Sequence, residues 1–201
     1  MAIVYPVLYR LGVTPWEANR DDGPLAQVLA ARPPGRALDA GCGTGRQAVA
    51  IAEHGWTVTG VDSVGQALRR ARARAQAAGV SDRARFVQGD VAHLDDLLGQ
   101  EQYHVVLDVG CFHGLSDPER AAFAGWVTRH TSAGAVVLLH TVSPRSGVGP
   151  RGLDDTGVRT VFGPAWALST TESTTAGGGP LRGAAFRWCT LTRLAEGSAR
   201  E

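Results

Sequence analysis

The chain has 201 residues, a formal net charge of +1, 44% hydrophobic residues and 19% charged residues. This length and balance fit one globular domain with a buried core and exclude wholesale disorder. All twenty Lys and Arg positions are arginine, which excludes a catalytic lysine, and the near-neutral charge gives no field that attracts nucleic acid or an acidic membrane.

The cysteines and the apolar runs bear on the cell compartment. Cys42, Cys111 and Cys189 are widely separated and odd in number, so they predict no disulfide framework, which is typical of a reducing cytoplasm. Residues 1–12 have neither a basic leader nor a long apolar run, so we expect no signal peptide. We therefore expect a cytoplasmic protein with no membrane partner, and the lack of clustered ligand residues predicts no metal.

Strand-like and helix-like segments alternate from about Arg36 onward. Apolar runs predict strands in RALDA, WTVTGVD, ARFVQGD, YHVVLDVG and GAVVLLHTV, with helical patterns between them. Ser116 and Glu119 form a capping box that predicts the start of the last of these helices. Such alternation within one domain predicts a parallel sheet with helices on both faces.

After the fifth predicted strand the chain changes character. SPRSGVGPRGLDDTG is rich in Gly, Ser, Pro and Arg, which predicts a loop. WALSTTEST and AAFRWCTLTRL then predict two strands connected through TAGGGP, which indicates a closing hairpin.

Three glycines follow the first predicted strand, in DAGCGTG from Asp39 to Gly45. Ligands of open α/β sheets bind outside the carboxyl ends of the strands, where a glycine turn lets the backbone approach them closely. A nicotinamide fingerprint needs glycine at the first, third and sixth positions, but Arg46 occupies the sixth. The spacing therefore weighs against a nicotinamide cofactor.

Acidic residues end three successive predicted strands, at Asp39, Asp62 and Asp90. A carboxylate at Asp62 is placed to accept hydrogen bonds from both hydroxyls of a ribose. Each aspartate alone is equally well explained as the cap of the helix that follows it. Three of them beside the glycine turn favour a ligand site.

The pattern D-x-G-x-G-x-G, with these carboxylates, resembles motif I and its neighbours in class I S-adenosylmethionine (SAM)-dependent methyltransferases. The resemblance implies an α/β fold, with a Rossmann-like, doubly wound, mostly parallel seven-stranded sheet, a C-terminal antiparallel hairpin and helices on both faces. It implies SAM as the cofactor and S-adenosylhomocysteine (SAH) as the product. It divides a single domain, 1–201, into an N-terminal lid or helical segment at 1–33, a SAM-binding core at 34–142, an acceptor-side loop at 143–163 and a C-terminal β-hairpin at 164–194.

The same resemblance implies roles for individual residues. In that family the acid of the first strand faces the cofactor's ammonium group, and the acid after the third strand takes the adenine amino group. The next backbone N–H, here that of Val91, meets a ring nitrogen. The residues expected to bind the cofactor are Trp16, Asp39, Gly41, Gly43, Gly45, Asp62, Ser63, Asp90, Val91, Asp108 and Cys111.

Two further stretches resemble the small-molecule branch that includes thiopurine, halide/thiol and tellurite-resistance methyltransferases. YPVLYRLGVTPWE carries a Pro-Trp-acid signature, and VVLDVGCFHGLSDPERAAF stands where that family has motif IV against the transferable methyl group. Aromatic faces attract a sulfonium cation. The expected acceptor-side residues are Tyr5, Tyr9, Phe112, His113, His140 and Arg145. Simple packing of a docked helix is an equal alternative for the two tyrosines.

The methylated atom is expected, on this resemblance, to be sulfur. A thiol or heterocyclic thiol needs little help from an enzyme base, since its thiolate is a good nucleophile. Methyl transfer by in-line displacement needs no enzyme nucleophile, so we expect Cys111 to be a packing residue. The alternatives are O- or N-methylation of a small aromatic metabolite, with His113 as base, and a SAM-binding protein that catalyses a non-methylating reaction. His113 either removes a proton or only orients the acceptor. We expect a small-molecule partner, no nucleic acid, and a monomer or homodimer.

Overall fold

A computed structural model describes residues 23–144, 152–173 and 184–195. Four of the predicted site residues, Tyr5, Tyr9, Trp16 and Arg145, lie outside these ranges. Most of the predicted 1–33 segment lies outside them too, and its described part contains helix α1, Leu25–Ala30.

Helices and strands alternate along the described chain. The further helices are α2 (Arg46–Glu53), α3 (Gly65–Ala77), α4 (Leu94–Leu97), α5 (Asp117–Arg129) and α6 (Asp155–Phe162). The strands are β1 (Arg36–Ala40), β2 (Thr57–Asp62), β3 (Ala84–Gln88), β4 (Tyr103–Val109), β5 (Thr131–Val142), β6 (Trp166–Glu172) and β7 (Phe186–Arg193). Short 3₁₀ turns follow β3 at Val91–His93 and β4 at Phe112–Gly114.

The described strands form one seven-stranded sheet in the order β3-β2-β1-β4-β5-β7-β6. Neighbours among β1 to β5 are parallel, whereas β7 pairs antiparallel with both β5 and β6. The strand order reverses between β1 and β4, which is where open α/β sheets bind their ligands. The predicted mostly parallel sheet with a closing antiparallel pair is confirmed.

Each face of the sheet carries its own apolar core. One core lies under α1, α2 and α3 and includes Trp56 and Leu138. The other lies under α4, α5 and α6 and includes Phe123 and Leu139. Successive residues of β5 thus belong to opposite cores, as the two-residue period of a strand requires. Burial on both faces explains why the central strands read as continuous apolar runs.

Segment 143–163 differs from its prediction as a loop. Its second half is α6, and Gly157 N donates to the side chain of the N-cap residue Asp154 at 2.7 Å. Val158 and Phe162 of α6 are buried in the second core. The prediction of a loop over the whole segment is therefore wrong, because the Gly- and Pro-rich first half obscured a short helix that tertiary packing stabilises. Residues 145–151 lie outside the described ranges.

The start of α5 has the predicted capping box. Ser116 N donates to Glu119 Oε2 at 2.6 Å, and the Ser116 side chain accepts in return from the helix backbone. Within the described ranges, no helix is both long and apolar enough to cross a membrane.

Candidate active site

The glycine turn between β1 and α2 is held in place from β2. Gly43 N donates to Asp62 Oδ2 at 2.8 Å, and Val64 N donates to Asp62 Oδ1 at 2.8 Å. Gly41, Gly43 and Gly45 have φ values of 72°, 53° and 74°, which side-chain-bearing residues rarely adopt. Asp62 therefore shapes the turn, and each of its carboxylate oxygens keeps a lone pair for a ligand.

Two of these glycines also leave no room for a side chain. A Cβ on Gly41 would lie 2.5 Å from the Cβ of Cys111, and a Cβ on Gly45 would lie 2.8 Å from the Cβ of Ala71. Gly41 therefore lets the turn after β4 lie against the turn after β1. Gly45 lets the start of α2 approach α3 closely.

Two buried aspartates stand near the ends of the central strands β1 and β4. Asp39 is 2% exposed and Asp108 is 0% exposed. Asp108 accepts hydrogen bonds from Cys111 N at 3.0 Å and from Phe112 N at 3.0 Å and 2.9 Å. Asp39 Oδ2, in contrast, has no hydrogen-bond partner. A buried carboxylate oxygen without a donor is costly, so Asp39 fits a ligand that brings one.

Burial raises the pKa of Asp39 and of Asp108 to about 7 each. The charges of Asp108 and Asp62 add to the effect at Asp39, whereas backbone N–H donors oppose it at Asp108. A cation beside Asp39 would favour its ionised form.

Cys111 occupies the gap that Gly41 leaves open. Burial raises the pKa of its thiol well above the ordinary value, and the charges of nearby aspartates, Asp108 most, add to the effect. The thiol is therefore protonated at neutral pH and does not act as a nucleophile.

Asp90 and Val91 follow the end of β3, and Ser63 follows the end of the neighbouring strand β2. The Asp90 carboxylate is exposed, and its Oδ1 accepts from Ala92 N at 2.9 Å, which caps the 3₁₀ turn after β3. Val91 is buried, and Ser63 is exposed directly after β2. Asp90 thus caps this turn through Oδ1, as the alternative explanation predicted, and Oδ2 remains available to a ligand.

Phe112 lies in the core and not along a pocket wall. Its ring is fully buried, and its centroid lies 5.9 Å from each of the ring centroids of Phe123 and Phe162. In contrast to the prediction that it contacts the acceptor, this placement assigns the ring to packing.

His113 lies beside the junction of β4 and β5. Gly110 N donates to His140 O at 3.1 Å, and the His113 ring is 3.5 Å from where a Cβ on Gly110 would be. His113 is buried and its Nδ1 has no hydrogen-bond partner. Burial lowers the pKa of His113 to about 4, with His140 and Arg120 adding to the effect, so its ring is neutral at pH 7.

His140, at the end of β5, belongs to a buried aromatic cluster. Its Nε2 lies 2.9 Å from Ser173 Oγ. Its ring stacks on Phe186 with centroids 5.3 Å apart, and the Trp188 centroid lies 4.7 Å away. The sequence predicted His140 as an acceptor-side residue but not these partners, which come from β7 and from the residue directly after β6.

Arg120, on α5, is a site residue that sequence reasoning missed. Its Nε donates to Phe112 O at 3.3 Å, its Nη2 donates to His113 O at 3.0 Å, and its Nη1 pairs with Asp117 at 3.2 Å. The turn that carries His113 is therefore held by Asp108 at its N–H groups and by Arg120 at its carbonyl groups. The sequence does contain one sign of this role, because Arg120 is a charged residue on the otherwise apolar side of a predicted helix.

Unpartnered polar atoms concentrate at one edge of the molecule. Among the described residues, seven buried side-chain N or O atoms have no hydrogen-bond partner, and three of these are indole Nε1 atoms. The other four belong to the carboxyl edge of the parallel sheet and are Asp39 Oδ2, His113 Nδ1, Thr141 Oγ1 and Arg187 Nε. Buried polar groups normally find partners, so this edge is where ligands are expected to supply them.

A protein family described as "Methyltransferase domain" matches residues 37–134. This span runs from β1 into β5 and contains the glycine turn, both buried aspartates and the turn that carries His113. Residues 37–134 are a methyltransferase domain.

The similarity to known methyltransferases extends over most of the chain. A 2-heptyl-1-hydroxyquinolin-4(1H)-one methyltransferase from Mycobacteroides abscessus is 24% identical over 160 residues, which cover 77% of this chain and 69% of that protein. A solved structure from work on the conversion of a disulfide bond into a thioacetal group during echinomycin biosynthesis has a TM-score of 0.74 and 26% identity, covering 99% of this chain and 94% of its own. A Burkholderia thailandensis 1,6-didemethyltoxoflavin-N1-methyltransferase, solved with 1,6-didemethyltoxoflavin and SAH bound, has a TM-score of 0.73 and 21% identity, covering 94% of this chain and 84% of its own.

The residues at the carboxyl edge of the sheet fit a SAM molecule. The unpartnered Asp39 Oδ2 suits an ammonium group, and the side-chain-free turn from Gly41 to Gly45 suits close backbone approach. In the described part of the chain, no group of three His, Cys, Asp or Glu residues is placed to hold a metal ion.

Proposed function

We propose that this methyltransferase methylates a sulfur atom of a small molecule, a thiol or a heterocyclic thiol. The observation that carries the proposal is the environment of His113, which is buried, neutral and without a partner at Nδ1. So weak a base gives little help to a phenol or an alcohol, whose proton must leave during methylation. A thiol with an ordinary pKa of about 8.5 reaches its nucleophilic thiolate form without an enzyme base.

The resemblance and the geometry together support a set of roles for the cofactor residues. We assign the ammonium group to Asp39, the ribose hydroxyls to Asp62, and the adenine ring to Asp90 and the N–H of Val91. When bound, SAM supplies an electrophilic methyl group. The further proposed cofactor contacts are Trp16, Gly41, Gly43, Gly45, Ser63, Asp108 and Cys111, of which Trp16 lies outside the described residues.

On the acceptor side, the chain has to position the sulfur atom and keep water away from it. We assign the orienting contact to His113 Nδ1, held there by the clamp that Asp108 and Arg120 make on its turn. Through its aromatic cluster, His140 forms the neighbouring wall. Tyr5, Tyr9 and Arg145 stay predictions, because they lie outside the described residues.

One of the similar structures also supports sulfur as the methylated atom. The work on echinomycin biosynthesis from which it comes concerns a disulfide bond and a thioacetal group, and the two chains match over nearly their whole lengths.

A second candidate function is O- or N-methylation of a small aromatic molecule. The Mycobacteroides abscessus relative is named for a 1-hydroxyquinolin-4-one, which favours an aromatic acceptor with a hydroxyl group. In that reaction His113 would act as the base that removes the proton.

The acceptor itself is inferred to be a small molecule. The curated relative and the toxoflavin enzyme are both named for small molecules. A net charge of +1 gives no basic surface of the kind that binds nucleic acid. Action in the cytoplasm, as a monomer or homodimer, remains part of the proposal.

The test is to measure SAH release and methylated product with panels of small thiols, phenols and N-heterocycles. We expect thiol-dependent turnover that survives His113→Ala. The matched control is His54→Ala, which changes an exposed histidine at the end of α2. Turnover confined to phenols and lost in His113→Ala would replace the sulfur proposal by O-methylation. SAM binding without SAH release from any acceptor would contradict both.

A further inference from the structure

Thr141 and Arg187 are two buried residues with unused hydrogen-bond donors, and they stand directly opposite each other. They are paired in the antiparallel register of β5 and β7. Opposed residues point to the same face of a sheet, with Cβ atoms about 4.5–5.5 Å apart. Thr141 is 1% exposed and Arg187 is 8% exposed, and neither Thr141 Oγ1 nor Arg187 Nε has a hydrogen-bond partner.

The pair lies close to the proposed acceptor site along the sheet. Thr141 follows His140 in β5 and shares a face with Leu139 two residues before it. Leu139 is in register with Asp108 of β4, which binds the turn that carries His113. Thr141 thus lies one strand away from Asp108 and two residues further along the sheet, and Arg187 lies on the next strand beyond Thr141.

Both terminal nitrogens of the Arg187 guanidinium have hydrogen-bond partners. Its Nη1 donates to Asp155 Oδ1 at 2.7 Å, and its Nη2 donates to Leu153 O. Thr170 Oγ1 also donates to Asp155 Oδ1, at 3.1 Å, which fixes that carboxylate. These contacts fix the direction of the Nε–H group. The positive charge of the guanidinium is already compensated by Asp155.

We propose that Thr141 Oγ–H and Arg187 Nε–H form a subsite for a neutral hydrogen-bond acceptor, a carbonyl or thione group, on the molecule that is methylated. Both groups donate, so they suit an acceptor atom with two lone pairs. Because Asp155 already balances the guanidinium charge, a neutral group fits better than a carboxylate, which Asp155 would repel. The subsite would select substrates by a group away from the methylated atom, and it rests on the proposed function in taking its ligand to be the methyl acceptor.

The test compares 1-tetralone with tetralin, two nearly isosteric molecules that differ by one carbonyl oxygen. Binding of each probe to the SAH-loaded protein is measured by isothermal titration calorimetry. We expect 1-tetralone to bind about tenfold more tightly than tetralin, since one of its two new hydrogen bonds comes from a charged donor. Thr141→Val should reduce this advantage to about threefold or less, whereas the control Thr141→Ser, which keeps the hydroxyl, should retain it.

Several results would overturn the subsite: equal binding of the two probes, no binding of 1-tetralone, or an undiminished advantage in Thr141→Val. A folding artefact is excluded by the melting temperature, which should stay equal or rise in Thr141→Val because an unpartnered buried hydroxyl is removed. Neither probe contains sulfur or an ionisable nucleophile. Failure of thiols to release SAH would therefore contradict the proposed function and leave this binding result unaffected.

Discussion

Gly41 and Cys111 interlock the two turns that follow β1 and β4. A Cβ on Gly41 would lie 2.5 Å from the Cβ and 3.0 Å from the Sγ of Cys111. The cofactor turn and the turn that carries His113 are therefore packed as one unit, although they come from separate parts of the chain. A change in the size of either residue is expected to disturb both turns.

Gly41→Ala should abolish SAM binding, whereas Gly79→Ala should leave it intact. The two glycines have nearly equal φ values, 72° and 71°, so both variants share a backbone cost of about 1–2 kcal/mol. A Cβ on Gly79 meets nothing within 4 Å, so only Gly41→Ala adds overpacking of about 1–3 kcal/mol. Calorimetric SAM titration and urea unfolding measure the two effects. Equal losses of SAM affinity and of unfolding free energy in both variants would show that backbone strain, and not the contact with Cys111, determines the result.

SAM affinity should increase as the pH rises through about 7, because the raised pKa of Asp39 leaves its carboxyl partly protonated below that pH. The cationic ammonium group binds the ionised form better. Asp39→Asn should bind SAM more weakly and lose most of the pH dependence between pH 5.5 and 8.5. Asp82→Asn, at an exposed carboxylate, is the control. A pH dependence unchanged in Asp39→Asn would assign it to another group.

In the cofactor-free protein the same pKa shift makes stability fall with pH. The folded pKa of Asp39, about 7, lies above its ordinary value of 3.8, so its stabilising contribution is complete below 3.8 and is lost as the pH rises through about 7. The pKa of His113 is lowered from 6.5 to about 4, so its contribution to the stability of the protein increases with pH only up to about 6.5. Between pH 6.5 and 8, the unfolding free energy from urea denaturation should fall more steeply in the wild type than in Asp39→Asn. Parallel slopes would contradict the assignment to Asp39.

Arg120→Met should raise the KM for the acceptor while leaving SAM affinity within about threefold, because the clamp on the His113 turn is removed. Two buried carbonyl groups also lose a donor, so the unfolding free energy should fall by about 1–3 kcal/mol. Arg129→Met is the control on the same helix, since its ion pair with Asp95 is exposed and is worth about 0–1 kcal/mol. A loss of stability with an unchanged acceptor KM would show that Arg120 is structural only.

The pH profile of kcat/KM, at saturating SAM, should follow the acceptor and not the enzyme. If His113 is neutral and does not act as base, the midpoint should shift with the pKa of the thiol when a more acidic thiol replaces a less acidic one. The midpoints should be unchanged in His113→Ala. A single midpoint common to both thiols would indicate an enzyme base.

Much of the fold was predictable because its signals are local. The central parallel strands are apolar runs buried on both faces, and the turn after β1 has positive φ values that glycine adopts readily. Helix α6 was not predictable in the same way, because it has only eight residues and follows a Gly- and Pro-rich stretch. Its stability comes from packing Val158 and Phe162 on the core.

The cofactor edge was more predictable than the acceptor side for a physical reason. Three aspartates lie at or near the carboxyl ends of apolar strands, where the sequence alone locates them: Asp39, Asp62 and Asp90. Thr141 and Arg187, in contrast, meet only through the register of β5 and β7. Phe112 suited a pocket by residue type, but its packing against Phe123 and Phe162 decided its role. The neutrality of His113 depends on burial, which the sequence around it does not reveal.

The most direct test of the proposed chemistry compares matched sulfur and oxygen acceptors. Purified protein is incubated with SAM and each member of two pairs, thiophenol with phenol and 2-thiopyridone with 2-pyridone. SAH and methylated product are then quantified by mass spectrometry after subtraction of the rate without enzyme. Sulfur methylation predicts a higher kcat/KM for the sulfur member of each pair, with the methyl group on sulfur in the product. A higher kcat/KM for the oxygen members, with O- or N-methyl products, would contradict it.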